Sequence, residues 1–253
     1  MYSFGAGILW GTPLQDADGN AIANPSPLLF GTLQDVSLDI SSETKTLHGQ
    51  NQYPVAVGRG KGKISGKAKV ASFYAAFWNT VFFGQTLTAG LIGAVYETAG
   101  AIVPTTPFII TVTPPSSGAY AGDLGVIDAN GKPMVRVASS PTTGQYIVNT
   151  STGAYTFSTA DAGKVVYINY KYTATVTGAQ KQTIVNKPMG YAPTFKVDLL
   201  QTYLGKQLTI SIPNAIGTKL GLATKLDDFM IPEFEFEGFA DAAGNVLTMS
   251  MSE

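Results

Sequence analysis

From Arg59 to Lys69 every odd position except Ser65 is basic: Arg59, Lys61, Lys63, Lys67 and Lys69. The even positions, Gly58, Gly60, Gly62, Ile64, Gly66, Ala68 and Val70, are small or apolar. Successive side chains of a strand point to opposite faces, so so regular a period of two demands a β-strand with one basic face. Upstream, Asp35, Asp39 and Glu43 lie on the odd face of a second alternating run, whose even face carries Val36, Leu38 and Ile40. The acids step by four, as do Arg59, Lys63 and Lys67. An antiparallel hairpin turning near Asn51 therefore sets Glu43 opposite Arg59, Asp39 opposite Lys63 and Asp35 opposite Lys67. Each exposed pair contributes only a few tenths of a kcal/mol, about enough to fix register rather than stability. A third ladder, Glu233-Phe234-Glu235-Phe236-Glu237, separates acids from aromatics by parity. It reads as a half-buried strand whose acidic face meets solvent or a basic neighbour.

Most of the remaining chain also reads as short strands bounded by Gly, Pro, Asn and Asp. Three turns share the form D-A-x-G, at Asp16–Gly19, Asp128–Gly131 and Asp241–Gly244, and Ala160-Asp161-Ala162-Gly163 is a variant. Asp-Gly and Asn-Gly supply the positive φ that tight hairpins need. One segment reads as a helix, with Ser72 as N-cap, Gly84 at C′ and Phe73, Phe77 and Val81 at four-residue spacing. Its other face, with Tyr74, Trp78 and Phe82, is apolar too. Such a helix is covered on nearly all sides, by two layers of its own fold or by a neighbouring subunit.

Residues 98–180 are richer in Thr, Ser, Gly and Tyr than their flanks and hold strand candidates of their own. They read as an inserted all-β subdomain, leaving a discontinuous core of residues 1–97 and 181–253. Charged residues make up only 13% of the 253 residues, against roughly a quarter in an ordinary soluble domain, while the aromatic share of 11% provides a core. No positively charged n-region precedes Ile8-Leu9-Trp10, so no signal peptide is expected. The charge-free stretch Val70–Tyr96 is interrupted by Asn79, Thr80, Gly84, Gln85, Thr86 and Thr88, leaving less than the roughly 20 apolar residues of a membrane span.

Catalytic chemistry finds little purchase. Without cysteine there is no disulfide, thiolate metal site or cysteine nucleophile, and His48 alone cannot furnish a multi-histidine metal site. Neither G-x-S-x-G nor H-E-x-x-H occurs. Gly62–Ala68 imitates a phosphate loop, but its glycines are one residue too close and Ala68 replaces the Mg²⁺-binding hydroxyl. Asp16, Asp18 and Asn20 open like a calcium loop, yet no bidentate Glu follows at the right distance. Asp227 and Asp228 are adjacent, which in a strand sends them to opposite faces. His48, in a polar loop, reads as a solvated side chain. The expectation is no enzyme, no cofactor and no metal. The net charge of −1 argues against a dedicated nucleic-acid binder.

Three stretches resemble the major tail tube proteins of long-tailed bacteriophages. The first is Leu33–Val70, a long alternating hairpin just before the aromatic segment Ser72–Phe83. The second is Lys225-Leu226-Asp227-Asp228-Phe229 with Pro232–Phe236 and Asp241–Val246, which is similar to the closing hairpin of such proteins. The third, Gly144-Gln145-Tyr146, Tyr155-Thr156-Phe157, Ala160–Gly163 and Ile168–Tyr172, resembles a phrase of phage virion proteins generally. The resemblance implies a mainly β fold: a β-sandwich with one flanking α-helix and a long hairpin, plus an inserted all-β, Ig-like subdomain projecting outward. It implies hexameric rings stacked into a hollow tube for DNA. The hairpin residues Asp35, Asp39, Glu43, Arg59, Lys61, Lys63, Lys67 and Lys69 are then lumen-lining or ring-interface candidates. Phe73, Phe77, Trp78, Val81 and Phe82 are candidates for subunit packing. Family lumens are typically acidic; here either the acids of one strand balance the bases of the next, or the basic face points away from the channel.

The partners so implied are further copies of the chain, tape measure, tail terminator and baseplate or tip proteins, with transient non-specific DNA contact and no membrane insertion. The protein would be made in the host cytoplasm and reside in the virion. Two other readings stand beside this one. A capsid-decorating protein would form trimers or monomers. A carbohydrate- or host-surface-binding protein would use Tyr120, Tyr146, Tyr155, Tyr167, Tyr170 and Tyr172, although alternating tyrosines also serve as sandwich core.

Overall fold

The alternating runs become strands in the computed structural model, which describes residues 5–72 and 74–252. The chain is mainly β, with antiparallel sheets and one helix. In order it forms β1 (Ile8–Gln15), β2 (Leu28–Leu29), β3 (Leu33–His48), β4 (Pro54–Val70), α1 (Ala75–Trp78), β5 (Thr88–Ala89), β6 (Leu91–Val95), β7 (Ala101–Ile102), β8 (Ile109–Thr111) and β9 (Ala119–Asp128). There follow β10 (Val135–Arg136), β11 (Gln145–Asn149), β12 (Ala154–Phe157), β13 (Val165–Ala174), β14 (Gln180–Lys181), β15 (Thr194–Tyr203), β16 (Lys206–Gly221), β17 (Glu233–Phe239) and β18 (Thr248–Met251). Two compact units result, Met1–Thr86 with Gln182–Glu253, and Leu87–Lys181. The compositional boundary at residue 97 lies too late on this division, because β6 pairs with β13 through Leu91↔Ala174 to Val95↔Tyr170.

The first unit is one sheet in the order β2-β1-β15-β16-β17-β4-β3, with β18 added to β16. Parity decides which side chains are covered. On β4 the even residues Ile64, Gly66, Ala68 and Val70 are buried, and on β17 so are Phe234 and Phe236. The pairing Gly66↔Phe236 lays the ring across the glycine, where an added Cβ would lie 2.6 and 2.7 Å from the two Cε atoms. Leu9, Val36, Leu38, Leu199, Ile212 and Phe236 line one small internal space, so β1 and β3, near opposite ends of the order, face each other across the core.

The helix is shorter than the Ser72–Gly84 spacing suggests. The Ser72 hydroxyl accepts from the Thr32 amide (3.4 Å) instead of capping, and Tyr74 holds the N-cap position without a side-chain bond. One turn of α1 passes into a π-helical turn, Asn79–Phe83, which Gly84 ends in the left-handed region at φ 59°. Phe77, Trp78 and Val81 are buried in the chain's own core, and Phe82 packs against it. Phe30 and Phe77 meet at 4.3 Å between centroids, and Trp78 and Phe234 at 5.3 Å. The own-fold alternative therefore accounts for these side chains, and Phe77, Trp78 and Val81 retain no surface with which to pack a subunit. Phe73 lies outside the described residues.

In the second unit β13 is flanked by β6, β7 and β9, and a second ladder runs β10-β11-β12-β8, in which only the short β10–β11 pair is parallel. Its core contains Tyr146, Tyr155 and Tyr170 with Val126, Phe157, Val166 and Ile168, while Tyr120 and Tyr172 pack against it. Tyr120, Tyr167 and Tyr172 are half-buried, while Tyr146, Tyr155 and Tyr170, buried in the core, offer no face to a sugar. Tyr146 and Tyr155 flank the Asp123 carboxylate, 7% exposed, which accepts from their hydroxyls (2.9 and 3.0 Å) and the Gly125 amide (3.0 Å). Desolvation, with Asp123 beside them, pushes both phenols well above their usual range.

The D-A-x-G turns share one geometry. In each the Asp carboxylate accepts from the amides two and four residues on, at 2.8–2.9 Å, in the cases of Asp16, Asp128 and Asp241. Gly19, Gly131 and Gly244 follow at φ 81°, 77° and 83°, where a Cβ would be strained. Asp161 of the variant departs from this pattern and turns inward.

Candidate functional site

The outward face of the first unit is a lattice of charge built by strand parity. Where odd residues of β4 meet β17, Lys69 stands opposite Glu233 and Lys67 opposite Glu235, while β16 brings Lys219 opposite Glu235 from the other side. Lys67 Nζ lies 2.9 Å from Glu233, and Lys219 Nζ lies 2.9 Å from both Glu233 and Glu235. Lys63 reaches Glu237 at 3.3 Å and Lys69 reaches Asp35 at 3.9 Å. The hydrogen bonds from Lys67 and then Lys219 hold the Glu233 carboxyl down at about 2, and the same glutamates raise Lys219. The basic neighbour of the third ladder is thus β4, and the columns alternate acid, base, acid, base across β3, β4, β17 and β16.

The hairpin forms with a register displaced by two from the expected one. Asp35 pairs with Lys69, Ser37 with Lys67, Asp39 with Ser65 and Ser41 with Lys63. A displacement of two preserves the faces, so Asp39 and Lys63 still line one groove, as diagonal neighbours. Beyond Ser42↔Gly62 the next pair is Thr44↔Arg59, which leaves Gly60 and Lys61 together against Glu43. This extra residue is a β-bulge, and it reverses parity along the rest of β4. Arg59 therefore shares the face of Thr44 and Ile40 rather than that of Lys63 and Lys67. Glu43 sits at the bulge and pairs along its own strand with Lys45 at 3.5 Å. Lys61, Lys63, Lys67 and Lys69 keep the common face.

Past Ile40 and Ile64 the hairpin leaves the sheet's cover. From Ser41 to Lys63 every residue but Gly60 is exposed. The exposed set includes Leu47 (65%), Tyr53 (78%), Val55 (72%) and Val57 (62%). These apolar residues were not singled out by the ladders, although Val55 and Val57 continue the alternation toward the turn. A two-stranded ribbon is marginal in water by itself, and β3 is an edge strand whose outer backbone groups have no ladder partner in the sheet order.

His48 ends β3 in an exposed position, and Asp228 is taken up by Lys225 at 3.0 Å. Among the described residues no three His, Asp or Glu side chains gather as metal ligands, and no helix is long and apolar enough to cross a membrane. No protein-family model matches the chain, and no curated protein matches it significantly.

Proposed function

We propose that this chain is a virion structural protein that assembles into stacked hexameric rings, forming the hollow tail tube through which phage DNA passes. In this reading the curled sheet is a β-sandwich with one flanking helix, and the unit Leu87–Lys181 is an Ig-like insertion facing outward. The observation that carries the reading is the uncovered ribbon of β3 and β4. It exposes aliphatic and aromatic side chains on both faces of a two-stranded element that needs a covering surface, and a neighbouring copy supplies that surface. The low charge fraction suits flanks buried between copies.

The alternating lattice on β3, β4, β17 and β16 is our candidate for the lumen wall. Lys63, Lys67, Lys69 and Lys219 are already engaged by carboxylates, which reduces the positive charge open to a phosphate backbone and keeps DNA contact transient. Tape measure, terminator and baseplate or tip proteins would meet the ends of such a tube. The test is the solution mass by light scattering of the parent chain and of Val55→Asp/Val57→Asp. The parent should form hexamers and larger species, and the double variant should remain monomeric with its thermal transition unchanged. A parent that stays a monomer or trimer at all concentrations refutes the reading.

A further inference from the structure

The ribbon of β3 and β4 carries charge as well as apolar surface, and the charge limits what it can meet. Between Ser41 and Lys63 the only acid is Glu43, against the bases Lys45, Arg59, Lys61 and Lys63. Lys45 and Lys63 reach Glu43 and Glu237, whereas Arg59 and Lys61 make no side-chain hydrogen bond or ion pair among the described residues. Arg59 shares its face with the exposed Ile40 and with Val57, which pairs with Thr46. Two ribbons laid together would set base against base, so the surface that fits this face is apolar and bears a free acid.

The connection between β16 and β17 has both properties. Every residue from Leu222 to Ile231 is exposed, and Leu226 and Phe229 stand 97% and 89% open. Asp228 is held by Lys225, but Asp227 makes no side-chain hydrogen bond or ion pair among the described residues. The exposed stretch that holds Ile184, Val185 and Met189 has Lys187 as its charge and offers no acid. Ribbon and connection lie at opposite ends of β4. The Val70 amide donates to the Pro232 carbonyl where the connection rejoins the sheet, while Val57 lies thirteen residues back along the strand, roughly 40 Å. Leu226 is six residues from Pro232 and reaches back roughly 20 Å at full stretch, so the two surfaces meet only between copies.

We propose that the ribbon of one copy docks on the β16–β17 connection of the next, with Ile40 and Val57 against Leu226 and Phe229 and Arg59 against Asp227. This rests on the self-assembly proposed above and names the surface the ribbon takes. A contact between unlike patches leaves each copy one free ribbon and one free connection, so copies add in one direction until a ring closes or a filament runs on.

The experiment is sedimentation velocity on full chains carrying one damaged surface each, Val55→Asp/Val57→Asp in the ribbon and Leu226→Ser/Phe229→Ser in the connection. Each should sediment as a monomer with its thermal transition in place. Their equimolar mixture should give a dimer and nothing larger, since one intact ribbon meets one intact connection. In a second series Arg59→Asp and Asp227→Arg should each raise the concentration needed for assembly at least tenfold, and the two together in one chain should return it to within about threefold of the parent. A mixture that stays monomeric, or a charge swap no better than its single variants, would overturn the proposal. A parent that assembles together with an equally competent Leu226→Ser/Phe229→Ser variant overturns this docking alone, while a parent that never assembles overturns the tube reading with it.

Discussion

Gly66→Ala probes the packing that turns a charge ladder into a folded sheet. Gly66 is buried in the covered C-terminal part of β4 and Phe236, 2% exposed, crosses directly over it. The ring cannot retreat freely, since Phe195 and Phe234 stand 6.3 and 6.1 Å away by centroid. The ring's Cζ would be nearer still than the two Cε atoms, and carbon atoms pack at about 3.5–4.0 Å, so the ring must move by about 1.5 Å or β4 must part from β17. Overpacking of a filled core costs about 1–3 kcal/mol, and alanine's better strand behaviour returns about 0.5 kcal/mol of it. The expected net loss is about 2 kcal/mol, or a fall in Tm of roughly 4–8 °C for a unit of this size. Both tryptophans, Trp10 and Trp78, lie in the first unit, so tryptophan fluorescence during urea or thermal unfolding reports on that unit alone. Gly62→Ala serves as control, because its Cβ would meet only the Ser41 carbonyl oxygen at 3.8 Å. A Gly66→Ala protein as stable as the parent, or as the Gly62→Ala control, would refute the packing.

Three other outcomes follow from the same structure. The Glu233 carboxyl lies at about 2, below its ordinary 4.5, so its contribution is complete above about pH 4.5 and is lost as pH falls toward 2. In this solvated lattice it amounts to on the order of 1 kcal/mol, and Glu233→Gln should flatten the acid limb of the first unit's stability curve by that amount. Tyr155→Phe deletes a hydroxyl bonded to the buried Asp123 carboxylate and should cost the second unit about 1.5–3 kcal/mol, measured by amide hydrogen exchange on β12 and β13. Glu233→Gln/Glu235→Gln frees Lys67 and Lys219, and should raise duplex DNA affinity with a salt slope steeper by about two phosphate contacts, measured by fluorescence anisotropy.

Strand character was legible wherever one face of an alternating run is buried, as in Ile64–Val70 and Phe234–Phe236, because only a strand separates such residues by parity. Register was less so. The expected and observed pairings of β3 with β4 differ by two residues and bury the same faces. The choice between them rests on contacts distant in sequence, such as Glu233 against Lys69. Arg59 changed face through a bulge at Gly60-Lys61, and the only local trace of it is the glycine run Gly58, Gly60 and Gly62. Ser72 has the side chain of a cap, but a tertiary bond to Thr32 takes its hydroxyl. Asp123 carries no local signal, because a lone acid in a strand usually faces water; its signal is the company of Tyr120, Tyr146 and Tyr155, which only the fold assembles. The tyrosines themselves divide between the core of the second unit and its margin.

Negative-stain electron microscopy of the purified full chain at high concentration tests the central claim most directly. Self-assembly through the β3–β4 ribbon predicts six-fold rings or hollow tubes. A field of uniform small particles with the mass of a monomer or trimer would contradict it.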